Sequence, residues 1–306
     1  MRTWKRTLTA AGVEEPRLRE EYTRQRAVVA AYRRHAYIAV RLLLPPPVVP
    51  HVIAATAFMH HTDTLLDGEA ADPESFREWE KAVRDALATG HSDDPVLRPL
   101  LHTASVHPRL AGHVEEFLAG APLDRDFGGF ADEAEYARYV DAYSLPAFLL
   151  VACLVLAPDA RPETVRALCR TYIDGSQRLD FVNDLAEDLR AGRLALPART
   201  LEEHGVSRAD LERGRDTPGT RALLATLLRR AREDLLASRP LPGHAPPEHR
   251  AFVRAFITLE VLTADAALAK GSTLLHAPAR PPAGAALRVL LREWRRRGRQ
   301  GARRIA

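Results

Sequence analysis

Residues 177–197 read QRLDFVNDLAEDLRAGRLALP, and the spacing of charge along them decides the fold. An α-helix turns once in about 3.6 residues, so side chains at i and i+4 leave one face about a turn apart. Gln177, Asp180, Asp184 and Asp188 then make one polar stripe, with three carboxylates at successive i+4 steps. Leu168, Tyr172, Leu179, Val182, Leu185 and Leu189 mark the packed side of the same helix. Like charges at this spacing cost a helix about 0.2–0.5 kcal/mol per pair unless they are neutralised. Arg178 and Arg190 are the local candidates for ion pairing, and a bound divalent cation is the other solution.

A second stripe of the same design lies upstream. The segment Pro50 to Asp67 is apolar nearly all round (Val52, Ile53, Ala54, Ala55, Ala57, Phe58, Leu65, Leu66), which predicts a buried helix. Thr56, His60, Asp63 and Asp67 recur along it in one narrow line. Unpartnered buried carboxylates are expensive, so the line asks for a cation, paired basic groups or a water-filled cavity. Alternatively, Asp67, Glu69 and Asp72 form a solvated acidic turn around Gly68. Two acidic ledges facing each other across a cavity would clamp several Mg²⁺ ions on a doubly charged phosphate ligand.

Helical periodicity continues through nearly the whole chain. It predicts helices over Arg17–Leu44, stopped by Pro45-Pro46-Pro47, and over Pro50–Asp67, capped by Gly68. Further helices are expected at Pro73–Thr89, Asp94–His107, Ala111–Leu118, Glu133–Leu156 and Arg161–Ala191. A short extended piece, Leu194–Pro197, follows, then a capping-box start at Ser207 and helices over Thr217–Ala237, His249–Leu275 and Ala283–Arg297. No two-residue alternation runs long enough to predict a sheet, and no repeat has solenoid spacing. The expectation is one all-α domain over residues 1–306.

Composition narrows the classes. Of 306 residues, 46% are hydrophobic and 27% charged, which fills a large core. The net charge of +4 owes much to Arg292, Arg295, Arg296, Arg297, Arg299, Arg303 and Arg304, read as a disordered basic tail over about 292–306. That tail is the one candidate for peripheral contact with an anionic membrane. Nucleic acid is discounted, because only Trp294 interleaves with the arginines. Cys153 and Cys169 read as buried free thiols of a reducing compartment. The charged start Met1–Glu15 has no signal-like apolar run, and Leu145–Ala157 is too short to cross a bilayer, so a cytoplasmic protein is expected. His35, His60, His61 and His91 lack zinc-type spacing with cysteine, and there is no glycine-rich phosphate loop.

With both stripes in place, Tyr32 to Pro197 resembles the squalene and phytoene synthases of the trans-isoprenoid synthase superfamily. The likeness rests on Leu42-Leu43-Leu44-Pro45, on Thr62 to Asp67 as a first Asp-rich motif, on Tyr139 as a cavity tyrosine, and on residues 177–197 as the second motif. In that second motif Gln177, Asp184, Glu187, Asp188, Gly192, Arg193 and Pro197 are retained. The resemblance implies an isoprenoid synthase-type helical bundle with a central apolar cavity. It also implies a Mg²⁺ cluster held by Asp63, Asp67, Asp180, Asp184 and Asp188, a prenyl diphosphate substrate and pyrophosphate as product. Tyr37, His60, Tyr139, Tyr143, Phe148, Gln177, Asn183 and Arg193 are the implied substrate contacts, with Asp180 assisting.

The departures shape the functional expectation. Where the family has serines and a Phe before Leu-Leu-Pro, this chain has Arg34, Ala36 and Tyr37. His60 replaces a basic residue, and Thr64 replaces the first motif's second Asp. Tyr143-Ser144-Leu145-Pro146 and Phe148 replace a small-residue stretch and its closing glycine, while Asp180, Asn183 and Ala195 replace an Asn, an Arg and a Tyr. Less positive charge and more bulk predict an enzyme that ionises a single farnesyl or geranylgeranyl diphosphate, as a class I terpene cyclase does. Head-to-head condensation of two prenyl diphosphates is the alternative, and an inactive prenyl diphosphate-binding paralogue the third. Monomer and homodimer both fit the sequence.

Overall fold

Proline, glycine and capping carboxylates divide the chain into helices. The computed structural model describes residues 3–66 and 72–302. In chain order the helices are α1 (Trp4–Ala10), α2 (Pro16–Tyr32), α3 (Arg34–Leu43), α4 (Val49–Leu66), α5 (Pro73–Thr89), α6 (Leu97–Val106), α7 (Arg109–Arg125), α8 (Glu133–Tyr139) and α9 (Leu145–Val155). There follow α10 (Pro162–Asn183), α11 (Leu185–Arg190), α12 (Ala198–Glu203), α13 (Arg208–Glu212), α14 (Pro218–Ala237), α15 (Arg250–Lys270) and α16 (Ala283–Ala302). Pro16, Pro73 and Pro162 open their helices, where a missing N–H costs nothing. Glu15, Asp72 and Asp132 accept hydrogen bonds from the first free amides of α2, α5 and α8. The described residues contain no strand; a lone bridge joins Phe130 to Pro197.

Helices α3, α4, α9, α10 and α15 each pack on the next, and α15 packs back on α3, closing a ring. Helix α4 is buried on most sides, as its unbroken apolar run requires, and packs against α2, α5, α6 and α7. Behind the ring, α14 covers α10, and α16 lies across α15 and α3. The α10–α14 approach depends on Gly175, where an added Cβ would stand 2.6 Å from the Ala231 carbonyl oxygen.

Several boundaries differ from the sequence reading. The predicted helix Arg17–Leu44 breaks at Arg33, whose backbone (φ −127°, ψ 54°) is not helical. Asp184 likewise separates α10 from α11 inside the predicted Arg161–Ala191. The helix expected over Ala111–Leu118 runs from Arg109 to Arg125. Between α8 and α9 the backbone widens into a π-helical turn, Val140–Ser144, without interrupting the rod. That rod, Glu133–Val155, is 23 residues long and apolar enough to span a membrane, with 61% of its most apolar window buried inside the protein. Counting only from Leu145 missed its length; its burial makes it a core helix. The arginine-rich C-terminus is not a disordered tail in the described part, because α16 continues to Ala302. Fully buried Glu293 anchors it by ion pairs to Arg254 (2.9 Å), Arg292 (3.2 Å) and Arg296 (2.9 Å). Arg297 donates to the Leu42 carbonyl at 2.8 Å. Asp67 and the expected Gly68 cap lie outside the described residues.

Candidate active site

Asp63 of α4 and Asp180 of α10 both lie within reach of the Arg33 charge inside the ring, and Asp180 keeps accessible surface there, which makes the space between them a hollow. Asp63 sits near the end of α4, held by its neighbour Thr62, which accepts from the Trp79 indole at 3.0 Å and donates to the Phe58 carbonyl at 3.0 Å. The Tyr143 hydroxyl, on the π-helical turn, donates to Asp63 Oδ1 at 2.9 Å. Gly120 of α7 makes room for that widened turn, since a Cβ there would collide with the Ala142 carbonyl.

Across the hollow, Asp180, Asp184 and Asp188 repeat along α10 and α11. Their mutual charge is not relieved by the local arginines. Arg178 turns away to Glu133 (2.9 and 2.8 Å) and stacks over Tyr136, and Arg190 donates to the Ala186 carbonyl at 2.9 Å. None of the three aspartates forms an ion pair among the described residues. Burial pushes Asp180 up, with Asp188 adding to the effect against Arg33. Burial, then Asp180 and Glu187, push Asp184 up to about 6. Asp188 is raised by burial and by Asp184 and Glu187, against the pull of Arg193. Asp180 keeps accessible surface although burial governs its titration, which marks it as a wall residue of internal space.

Arg33 joins the two sides. At the break between α2 and α3 it stacks over Tyr32 (4.9 Å), and its charge reaches both Asp180 and Asp63. Burial lowers its pKa, but Tyr32 and these two carboxylates outweigh that effect. His60 stacks on the same Tyr32 ring, 3.9 Å between centroids, and burial together with Arg33 lowers its pKa. His60 therefore favours its neutral form more than a free imidazole does, and Arg33 brings a permanent charge beside it.

The remaining expected contacts divide into two groups. Tyr139 donates to Asp124 at 2.6 Å, and Arg193 donates to the same oxygen at 2.7 Å while lying 4.4 Å over the Phe127 ring. Arg193 thus links Asp124 to the charge of Asp188. Phe148 stacks on Tyr172 at 5.0 Å, and Tyr37 packs half-buried against the core. Gln177 is half-buried with no side-chain hydrogen bond among the described residues. Asn183 is a strut: its amide donates to the Ala279 carbonyl at 3.3 Å and accepts from the Ala279 amide at 2.7 Å, fastening α10 to the segment before α16. The sequence reading missed Arg33, Asp124 and Glu260. The last is a half-buried carboxylate of α15 that burial and Asp180 push up to about 7, against Arg33 and Ser176. Its signal was present, as the only acidic residue between Arg250 and Thr263. Asp124 carried none.

The donor set suits a hard divalent cation. Asp63, Asp180, Asp184 and Asp188 offer only carboxylate oxygens, and the last three raise one another's pKa as anions do when a neutralising charge is wanting. Among the described residues no three such groups gather tightly enough to enclose an ion. A Mg²⁺ ion held here would take one or two carboxylates and leave its other positions to water and substrate phosphates.

Residues 29–295 match the squalene/phytoene synthase family. The chain is 27% identical to "Phytoene synthase 2, chloroplastic" of Oryza sativa subsp. japonica over 223 residues, covering 70% of this chain and 55% of that protein. It is 28% identical to "Bifunctional protein CrtB/UppS" of Streptomyces coelicolor, covering 67% of this chain and 36% of that one. The aligned part thus spans about half or less of these relatives' length. Among solved structures, a dehydrosqualene synthase superposes with a TM-score of 0.81 at 17% identity, covering 90% of this chain and 96% of the other. Squalene synthase HpnC from Alicyclobacillus acidocaldarius gives 0.75 at 22%, covering 88% and 99%. Likeness at those identities is likeness of fold, and it joins the sequence match over most of the chain and the two acidic ledges in one conclusion: the protein belongs to the squalene/phytoene synthase family.

Proposed function

We propose that this chain is a Mg²⁺-dependent enzyme that condenses two prenyl diphosphates head to head and releases pyrophosphate. The observation that carries the reading is the placement of Asp63 and Asp180 on two sides of one hollow, with Arg33 within electrostatic reach of both. The single-substrate expectation rested on positive charge lost at His60 and Asn183 and on bulk added around the cavity. Arg33 restores a cation there, and the relatives named as phytoene synthases favour two substrates.

The chain's own groups have definable tasks. Asp63, oriented by Tyr143, and Asp180, Asp184 and Asp188 would hold the metal ions, with Asp67 of the first motif. When bound, Mg²⁺ would supply positive charge against the negative charge that develops on the departing diphosphate as the allylic C–O bond breaks. Arg33 adds positive charge from the protein side, and Arg193, held by Asp124, steadies the charge of Asp188. The closed ring of helices excludes water from the cationic carbon chain. Aromatic faces of Tyr139, Tyr143, Phe148 and Tyr172 lie where they can stabilise it.

Incubating the protein with geranyl, farnesyl or geranylgeranyl diphosphate and Mg²⁺, with mass spectrometry of the extract, tests this. The expected result is a hydrocarbon with twice the substrate's carbon number. A cyclic product from one substrate would return the cyclase reading, and no pyrophosphate release from any substrate would leave a binding paralogue.

Helix α16 supports a further element of the reading, peripheral attachment to an anionic lipid surface. Leu287, Leu291 and Trp294 are 57%, 40% and 50% exposed in one line, beside Arg288 and Arg295, which form no ion pair among the described residues. A basic amphipathic face of this kind binds acidic headgroups and buries its apolar line at the interface. Cosedimentation with phosphatidylglycerol vesicles, lost with phosphatidylcholine and in a Leu291→Ser/Trp294→Ser variant, is the expected outcome. Equal binding to both lipids, or to neither, would remove this element.

A further inference from the structure

Apart from the charge of Arg33 at a distance, Glu260 has no partner suited to a structural carboxylate. It projects from α15 one turn after Phe256, makes no ion pair among the described residues, and has the Ser176 hydroxyl as its hydrogen-bonding neighbour. On α10, Tyr172, Ser176 and Asp180 recur at i, i+4 and i+8, so this face leads from the aromatic wall to the acidic stripe. The wall is the stack of Phe148 on Tyr172 (5.0 Å) and of Tyr172 with Phe256 (5.4 Å). Glu260 thus stands where the diphosphate end of the hollow meets its hydrocarbon end. An unpaired carboxylate in such a place costs folding energy, which points to a charge supplied by the ligand.

The geometry points to Glu260 as a catalytic base that removes the proton whose loss ends the reaction as a polyene. The inference rests on the prenyl diphosphate reading above. After the diphosphates leave, the joined chain carries a cationic carbon. A C–H bond beside that carbon breaks, its electron pair becomes a new C=C bond, and the proton passes to a Glu260 carboxylate oxygen. The step is redox-neutral and needs no reductant, so the product class is a hydrocarbon more unsaturated than one formed by hydride transfer. A positioned base of this kind contributes about 10²–10⁴-fold to its step. A water molecule captured by the cation would instead give an alcohol.

The test compares wild type, Glu260→Gln and Glu260→Asp, each checked by circular dichroism, for hydrocarbon and alcohol formed per pyrophosphate released. The expected result is a fall of about ten-fold or more in hydrocarbon per pyrophosphate for Glu260→Gln, with alcohols making up the difference. Glu260→Asp should partly restore the hydrocarbon share, and it carries the test if the glutamine variant misfolds. An unchanged partition in the variants overturns the inference. So does a higher Mg²⁺ requirement with an unaltered product pattern, which would make Glu260 a metal ligand. A wild type that releases no pyrophosphate overturns the functional reading itself, whereas wild-type turnover with identical variant products overturns only the role of Glu260.

Discussion

Asp184 illustrates how a catalytic position opposes stability. Its pKa is raised from 3.8 to about 6 by burial and by Asp180 and Glu187. The fold therefore prefers the protonated form, and the destabilisation is absent below pH 4, grows as pH rises, and is complete above pH 6. Asp184→Asn should raise the melting temperature of the metal-free protein at pH 8, with the gain vanishing by about pH 4, while turnover falls by about 10²-fold or more. Calorimetry in EDTA at both pH values checks the first part; a melting point lowered at pH 8 would make Asp184 a structural partner. Tyr143 gives the opposite case. Its hydrogen bond to Asp63 involves a charged acceptor, worth about 1.5–3 kcal/mol. Tyr143→Phe should therefore cut kcat/KM by roughly ten-fold and raise the Mg²⁺ concentration for half-maximal rate; an unchanged Mg²⁺ dependence would show that Asp63 needs no orientation.

Single helices explain what was legible and what was not. The i+4 recurrence of Asp180, Asp184 and Asp188 and the apolar run of α4 are local patterns, so the acidic ledges and the all-helical class could be read directly. Arg33 could not, because its role comes from a helix break that only the packing of α3 against α15 and α16 imposes. The anchoring of Asn183 could not be read either, because its partner, Ala279, is remote in sequence. Gly175 shows how much an inter-helix distance matters. Gly175→Ala would drive a methyl to 2.6 Å from the Ala231 carbonyl and force α10 off α14. The expected cost is about 1–3 kcal/mol in denaturant unfolding, with a parallel loss of turnover because α10 carries the acidic stripe. A stable, fully active variant would mean that the two helices separate without cost.

At the scale of the whole molecule, the last helix decides whether the ring stays closed. A charged, arginine-rich terminus looks dispensable from composition, and solvent exposure of Leu287, Leu291 and Trp294 agrees with that view for one face. The other face does not. Val289 is buried, Glu293 has no exposed surface, and the three arginines around it compensate a charge that would otherwise be stranded. Arg254 belongs to α15, and Arg297 reaches the end of α3, so α16 ties together two of the five ring helices. Removing the chain from Arg292 onward would leave Arg254 unpaired and uncover the α3–α15 seam. Breaking a buried ion pair by deleting one side costs about 3–5 kcal/mol. The expected outcome is a melting temperature several degrees lower for a chain ending at Leu291, and no change beyond about one degree for one ending at Gly298. Thermal unfolding of the two truncations measures it, and equal melting points would show that the ring closes without α16.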